Sequence, residues 1–113
     1  MMLIVGDEDA EASSSHKDLE ALYGRIGTWW NEHAAAGRII EGHELEPSST
    51  ATTVRIARDR STTVTDGPFI DAKEAIGGYG VLEVADLDEA LALASSWPGA
   101  STVLEIRPIV VRD

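Results

Sequence analysis

Cysteine is absent from the 113 residues. That excludes a disulfide framework, a thiolate metal site and a cysteine nucleophile. Basic residues are scarce: Lys+Arg number 9 against 20 Asp+Glu, a formal charge of −11. Phosphate recognition needs a basic footprint, so nucleic acid is not an expected partner. Anionic membrane surfaces are disfavoured for the same reason. No apolar run approaches the roughly 20 residues of a membrane span. Met1-Met2-Leu3-Ile4-Val5-Gly6 is apolar but short, and Asp7-Glu8-Asp9 follows at once, unlike a signal peptide. With no cysteine the redox compartment is undetermined, and a cytoplasmic location is the expectation by default rather than by deduction. Internal repeats and low-complexity tracts are lacking as well. What is present is globular: 43% apolar and 26% charged residues, enough for one domain over residues 1–113.

Met2 to Val5 reads as a short buried strand ending at Gly6, and Asp7 to Ser15 as a loop. From His16 to Ala36, Leu19, Leu22, Tyr23, Ile26, Trp29, Trp30 and Ala34 recur at helical spacing, and Gly37 follows as a left-handed stop. Trp29 and Trp30 lie about 100° apart on that helix. One belongs to the core; the other is free to sit at its edge, or to face a partner or a small aromatic ligand. Gly24 and Gly27 leave two readings open, a close backbone approach or weak spots carried by tertiary packing.

Arg38 to Leu45 is predicted as a strand with Ile39, Glu41, His43 and Leu45 on one face. Thr52 to Ala57 and Ser61 to Thr65 make a β-hairpin whose tip, Arg58-Asp59-Arg60, lacks the favoured glycine. Asp66-Gly67-Pro68-Phe69 is a dense turn signal, with Phe69 as an anchor back to the core. Gly77 to Ala85 is the next strand, with glycines at 77, 78 and 80 that let a ring, backbone or ligand come close. Asp86-Leu87-Asp88-Glu89 opens a second helix by a capping box, ended by Pro98-Gly99. Thr102 to Val110 is the last strand, and Pro108 places its end at an edge or beyond the ladder. The order predicts an α+β, ferredoxin-like fold: an antiparallel sheet, two helices on one face and an inserted β-hairpin.

The stretch Thr63-Val64-Thr65-Asp66-Gly67-Pro68-Phe69 resembles the DGPF-domain branch of the YCII-related proteins. So do Lys73-Glu74, Gly77-Gly78-Tyr79, Asp86-Leu87-Asp88-Glu89-Ala90 and Glu105-Ile106-Arg107-Pro108-Ile109, with the run from Thr50 to Arg55 and the opening at residues 2 to 8. The resemblance covers nearly the whole chain. It implies a homodimer, a dimeric α+β barrel-like assembly with the sheets of two subunits packed face to face. Some relatives are encoded beside extracytoplasmic-function sigma factors, which implies an accessory regulatory role. Others carry a His–Asp pair thought to be catalytic, and one is a dehydrochlorinase on a chlorinated hydroxyhydroquinone. Their histidine lies in the first helix, roughly eleven residues before the glycine that ends it. Counting back from Gly37 reaches Ile26, with His16 and His33 well to either side. Arg60 and Ala72 stand where many relatives have Gly and Thr.

Strand alternation gathers polar residues on the face away from the helices: Glu41 and His43, Tyr79 and Glu83, Glu105 and Arg107. In a dimer of packed sheets such a cluster shifts pKa values and is a ligand-site candidate. The plainer reading is an ion-pair network at the interface, or a wet face. His43 is the candidate base, its ordinary pKa lying near working pH, with Glu41 or Asp66 assisting. Trp30 is added as a ring for an aromatic ligand. His33 falls on the helix stripe and reads as packing. The three histidines lack HxH or HxxxH spacing, so no metal site is expected, and no cofactor motif is present. The expected function is binding of a small organic ligand between subunit sheets. The alternative is a lyase or hydrolase acting on a small aromatic or hydroxylated substrate.

Overall fold

The structure is a computed structural model that describes residues 1–69 and 74–112. Ala72 and Lys73, noted in the family resemblance, lie outside the described residues. The elements are β1 (Met2–Asp7), α1 (Glu8–Ser13), α2 (His16–Ala35), β2 (Ile39–Glu44), β3 (Thr52–Ile56), β4 (Thr62–Asp66), β5 (Glu74–Leu82), α3 (Leu87–Ser95) and β6 (Thr102–Ile106). A 3₁₀ turn at Ser48–Thr50 precedes β3. The main sheet has the order β2-β5-β1-β6, and every neighbouring pair is antiparallel. That architecture is α+β and compatible with a ferredoxin-like fold. β3 and β4 form a separate two-stranded sheet.

The helices α2 and α3 share one face of the main sheet because their apolar stripes meet the same strand residues. Met2, Trp29, Ile39, Leu93 and Ala94 form the buried cluster, with Ile4, Trp30, Leu82, Val84, Trp97, Leu104 and Ile106 packed against it. Trp29 stacks edge-on to Trp97 at 5.1 Å between ring centres. Its indole N–H donates to the Ser96 hydroxyl at 2.7 Å, so the one polar atom of this ring is satisfied. His33 packs on Trp29 as the stripe implied, 4.8 Å between rings. An Arg38 guanidinium N–H lies 3.0 Å from its Nδ1. A guanidinium only donates, so in this contact Nδ1 is the acceptor.

Trp30 is also a core ring. It lies over Gly42 and Gly80, where a Cβ at either position would run into its benzene edge. The glycines of β2 and β5 thus make room for an indole, which is the close ring approach expected of Gly80. Gly24 and Gly27 behave differently. A Cβ built on either meets nothing within 4 Å, so the close-approach reading does not hold for these two.

Four further expectations are corrected. Residues 8 to 13 are helix, not loop. The run Glu8-Asp9-Ala10-Glu11-Ala12-Ser13 has no apolar stripe; Asp7 caps it by accepting from the Asp9 and Ala10 amides, and acidic residues fill the first turn. Ile39 does not share a face with Glu41 and His43. A bulge between Ile39 and Glu41 turns Ile39 into the core opposite Leu82 while Glu41 and His43 stay outside. Phe69 is no core anchor: it is exposed, with the Arg55 guanidinium 4.6 Å above its ring. The last strand stops at Ile106, because Pro108 cannot donate to a ladder.

Candidate functional site

The uncovered face of the main sheet carries the sequence-predicted polar residues. Register sets their positions. His43 lies opposite Tyr79, Tyr79 opposite Leu3, and Leu3 opposite Glu105, one row across all four strands. Neighbouring strands stand about 4.8 Å apart, so Tyr79 and Glu105 are separated by about 10 Å with Leu3 between them. The six polar residues therefore do not converge on one point. Glu41, His43 and Tyr79 form a cluster on β2 and β5, Glu105 and Arg107 a separate pair at β6, and Glu83 belongs to neither.

In the first cluster the His43 and Tyr79 rings are 5.9 Å apart and tilted. The Tyr79 phenol donates to Glu41 Oε1 at 3.3 Å. Partial loss of water around the phenol, then the Glu41 charge and this hydrogen bond, raise the Tyr79 pKa above its ordinary value. Tyr79 is thus a phenol at neutral pH, able to donate to a ligand as readily as to Glu41. Among the described residues the His43 side chain makes this ring contact and no hydrogen bond. In the second pair Arg107 Nε lies 3.0 Å from Glu105 Oε2. Both groups are largely solvated, so this ion pair contributes little to stability on its own.

The remaining candidates lie elsewhere. Glu83 is beyond the end of β5, four residues and so about 13 Å along the chain from Tyr79. Its backbone amide donates to the Arg38 carbonyl. Asp66 closes β4 opposite Thr52, in the other sheet. Gly67 takes the left-handed conformation at φ 98° that the Asp66-Gly67-Pro68-Phe69 turn requires, and its carbonyl accepts from the Thr53 hydroxyl. The tetrapeptide is the base of the hairpin. Trp30 is on the helix side of the sheet, away from His43. No group of acidic or histidine side chains arranged to hold a metal occurs among the described residues.

The apolar side chains on the open face were not singled out from the sequence as a set. Val5 is in register with both Ile76 and Val103. Ile76 and Val103 are 50% and 52% exposed, far more than core residues of their type. The sequence signal was obscured by a bulge between Ile4 and Val5, which shifts the alternation of β5 past Gly77.

A second polar cluster joins the helix side to α1. The Tyr23 phenol oxygen lies 2.7 Å from a carboxylate oxygen of Glu44 and 2.7 Å from one of Glu11. The single phenol proton has a carboxylate acceptor on either side, Glu44 with the larger effect and then Glu11, and the pKa rises well above the ordinary tyrosine value. Close by, Glu8 accepts from the Ser48 hydroxyl and amide, which lowers its pKa. No spacing in the sequence announces these contacts, because they bring together four separate elements.

No helix of the described residues is long and apolar enough to cross a membrane. An uncharacterized protein of Rhizobium meliloti (strain 1021) is 28% identical to this chain over 113 residues, covering 97% of this chain and 90% of that protein. The family model of the YCII-related domain matches residues 1–112. The alignment takes in the open sheet face, the hairpin and both long helices: the chain belongs to the YCII-related family.

Proposed function

We propose that this chain is a cytoplasmic homodimer of the DGPF branch that binds a small organic ligand between packed sheets. The observation that carries the reading is the open face of the main sheet. It sets half-exposed Ile76 and Val103 on the same face as a hydrogen-bonded Tyr79–Glu41 pair and the His43 imidazole that packs on Tyr79. An apolar patch with polar groups inside it is the surface of a partner contact or a ligand site. Packed against a second copy, the face would lose its water, and the Tyr79 hydroxyl, Glu41 carboxylate and His43 ring would supply the directional contacts. Glu105 and Arg107 would sit at its rim. The Asp66-Gly67-Pro68-Phe69 turn supports the branch, and the branch supports an accessory regulatory role.

Proton transfer by His43 requires a group that orients its imidazole. Neither Glu41 nor Asp66 is hydrogen-bonded to it in the described residues, so binding is favoured over lyase or hydrolase chemistry. The test has two parts. Sedimentation at tens of micromolar should give a dimer that Ile76→Glu disrupts. Thermal shifts with a panel of small carboxylic acids and hydroxylated aromatics should show a stabilising ligand whose effect Tyr79→Phe and His43→Ala reduce at least tenfold in affinity. A monomer at those concentrations would sink the reading.

A further inference from the structure

Among the described residues, the β3–β4 hairpin pairs with no strand of the main sheet. Register places Val54 opposite Val64 and Ile56 opposite Thr62. Alternation puts Val54, Ile56 and Val64 on one face of the ribbon and Arg55, beside Phe69, on the other. The three apolar side chains are 57%, 57% and 65% exposed. A two-stranded ribbon with bare edges is marginal in water and invites pairing with other chains. The hairpin also makes the molecule broad and flat. The radius of gyration is 16.3 Å and the extents are 47 × 46 × 19 Å, whereas a compact chain of this length has a radius near ~13 Å.

Charge indicates what covers the ribbon. From Thr52 to Asp66 there are three arginines (Arg55, Arg58, Arg60) and two aspartates (Asp59, Asp66), a net +1. The other residues hold six basic and eighteen acidic side chains, a net −12. At the tip the Asp59 carboxylate accepts from the Ser61 amide and hydroxyl and keeps its charge between Arg58 and Arg60, so the tip itself carries a net +1. The chain thus has one cationic, apolar arm on an otherwise acidic body. The matching surface is the end of the open sheet face. Val5, Ile76 and Val103 form an apolar row there, and Glu74 and Glu105 lie on the same face.

We infer that the arm of each subunit lies on a second copy of this chain, its Val54–Ile56–Val64 stripe against the partner's row of Val5, Ile76 and Val103. Arg58 and Arg60 then stand beside the acidic rim. The inference rests on the open-face dimer and refines it: the β2–β5 part of each face meets the partner's sheet, while the row of Val5, Ile76 and Val103 is covered by the partner's arm.

Hydrogen exchange of the full chain, compared at submicromolar and at high micromolar concentration, tests this without any substitution. The amides of β3 and β4 should slow at least tenfold as the dimer forms. In sedimentation, Val54→Thr/Val64→Thr should weaken the dimer at least tenfold, with far-UV dichroism unchanged because threonine keeps the strand propensity of this cross-strand pair while removing its apolar surface. The absence of native cysteine allows a third measurement. Chains carrying Ile56→Cys, mixed with chains carrying Val103→Cys and mildly oxidised, should give a crossed disulfide dimer in higher yield than either chain alone. A dimer whose arm amides exchange equally fast at both concentrations, and which the double variant leaves intact, overturns the arm and spares the sheet-face reading. Protected arm amides without the crossed disulfide overturn the docking position. A monomer throughout overturns both.

Discussion

At the scale of single residues, Gly42 shows how a side chain that is missing can set a fold. A Cβ here would collide with the Trp30 ring and with the Tyr79 backbone carbonyl. The ring is held by α2 and the carbonyl by the sheet, so neither yields cheaply. Gly42→Ala should therefore lower unfolding free energy by about 1–3 kcal/mol, the usual cost of overpacking, although alanine in an ordinary strand position would be neutral or better. Urea titration of the two proteins checks this, and an unchanged midpoint would show that Trp30 can move aside. The same contact explains why the sequence leaves the place of Trp30 open. Helical spacing fixed the angle between Trp29 and Trp30 but not which strand glycines faced the second ring. By contrast, Arg60 occupies a left-handed position, φ 73°, at the hairpin tip. The missing glycine was legible in the sequence, and the backbone adopts the left-handed turn regardless.

At the scale of elements, legibility followed apolar periodicity. The helix α2 ends within a residue of its expected limits because its stripe and Gly37 mark it clearly. Strands β3 and β4 were found from their Thr and Val content. Helix α1 was missed because side-chain capping and two carboxylates hold it, and these leave no periodic trace. Its attachment gives a prediction. Glu11 on α1 and Glu44 on β2 both lie within hydrogen-bond distance of the one Tyr23 hydroxyl, and Tyr23 has a pKa raised above that of the unfolded chain, about 10. A group with a raised folded pKa stabilises fully below its unfolded pKa and loses that contribution as pH rises through the folded value. Stability should therefore fall from about pH 10 upward, as the unfolded chain ionises Tyr23 before the folded one does. Thermal melts from pH 8 to 11 should show this slope weakened in Tyr23→Phe. Parallel profiles for the two proteins would mean that the phenol contributes nothing to the linkage.

At the scale of the whole molecule, the −11 charge and the open face act against each other. Two copies meeting through their sheets bring like charges together, and the arm at +1 offsets only a small part of that repulsion. Apolar contact at Val5, Ile76 and Val103 has to exceed it. Salt separates the two contributions, since the screening length shortens from about 30 Å at 0.01 M to about 8 Å at 0.15 M ionic strength. Repulsion between the bodies acts over those distances, whereas burial of valine and isoleucine is little affected. Sedimentation should therefore show the proposed dimer tightening severalfold between 0.01 and 0.15 M sodium chloride. An interface held mainly by ion pairs, such as Arg107 with a partner's carboxylate, would weaken over the same range. Arg58→Ala/Arg60→Ala refines the comparison. Removing two positive charges from the arm should weaken association most at low salt, where the arm's attraction to the acidic rim is least screened. A dimer that loosens with salt would replace the apolar interface with an ionic one and shift attention from Ile76 and Val103 to Glu105 and Arg107.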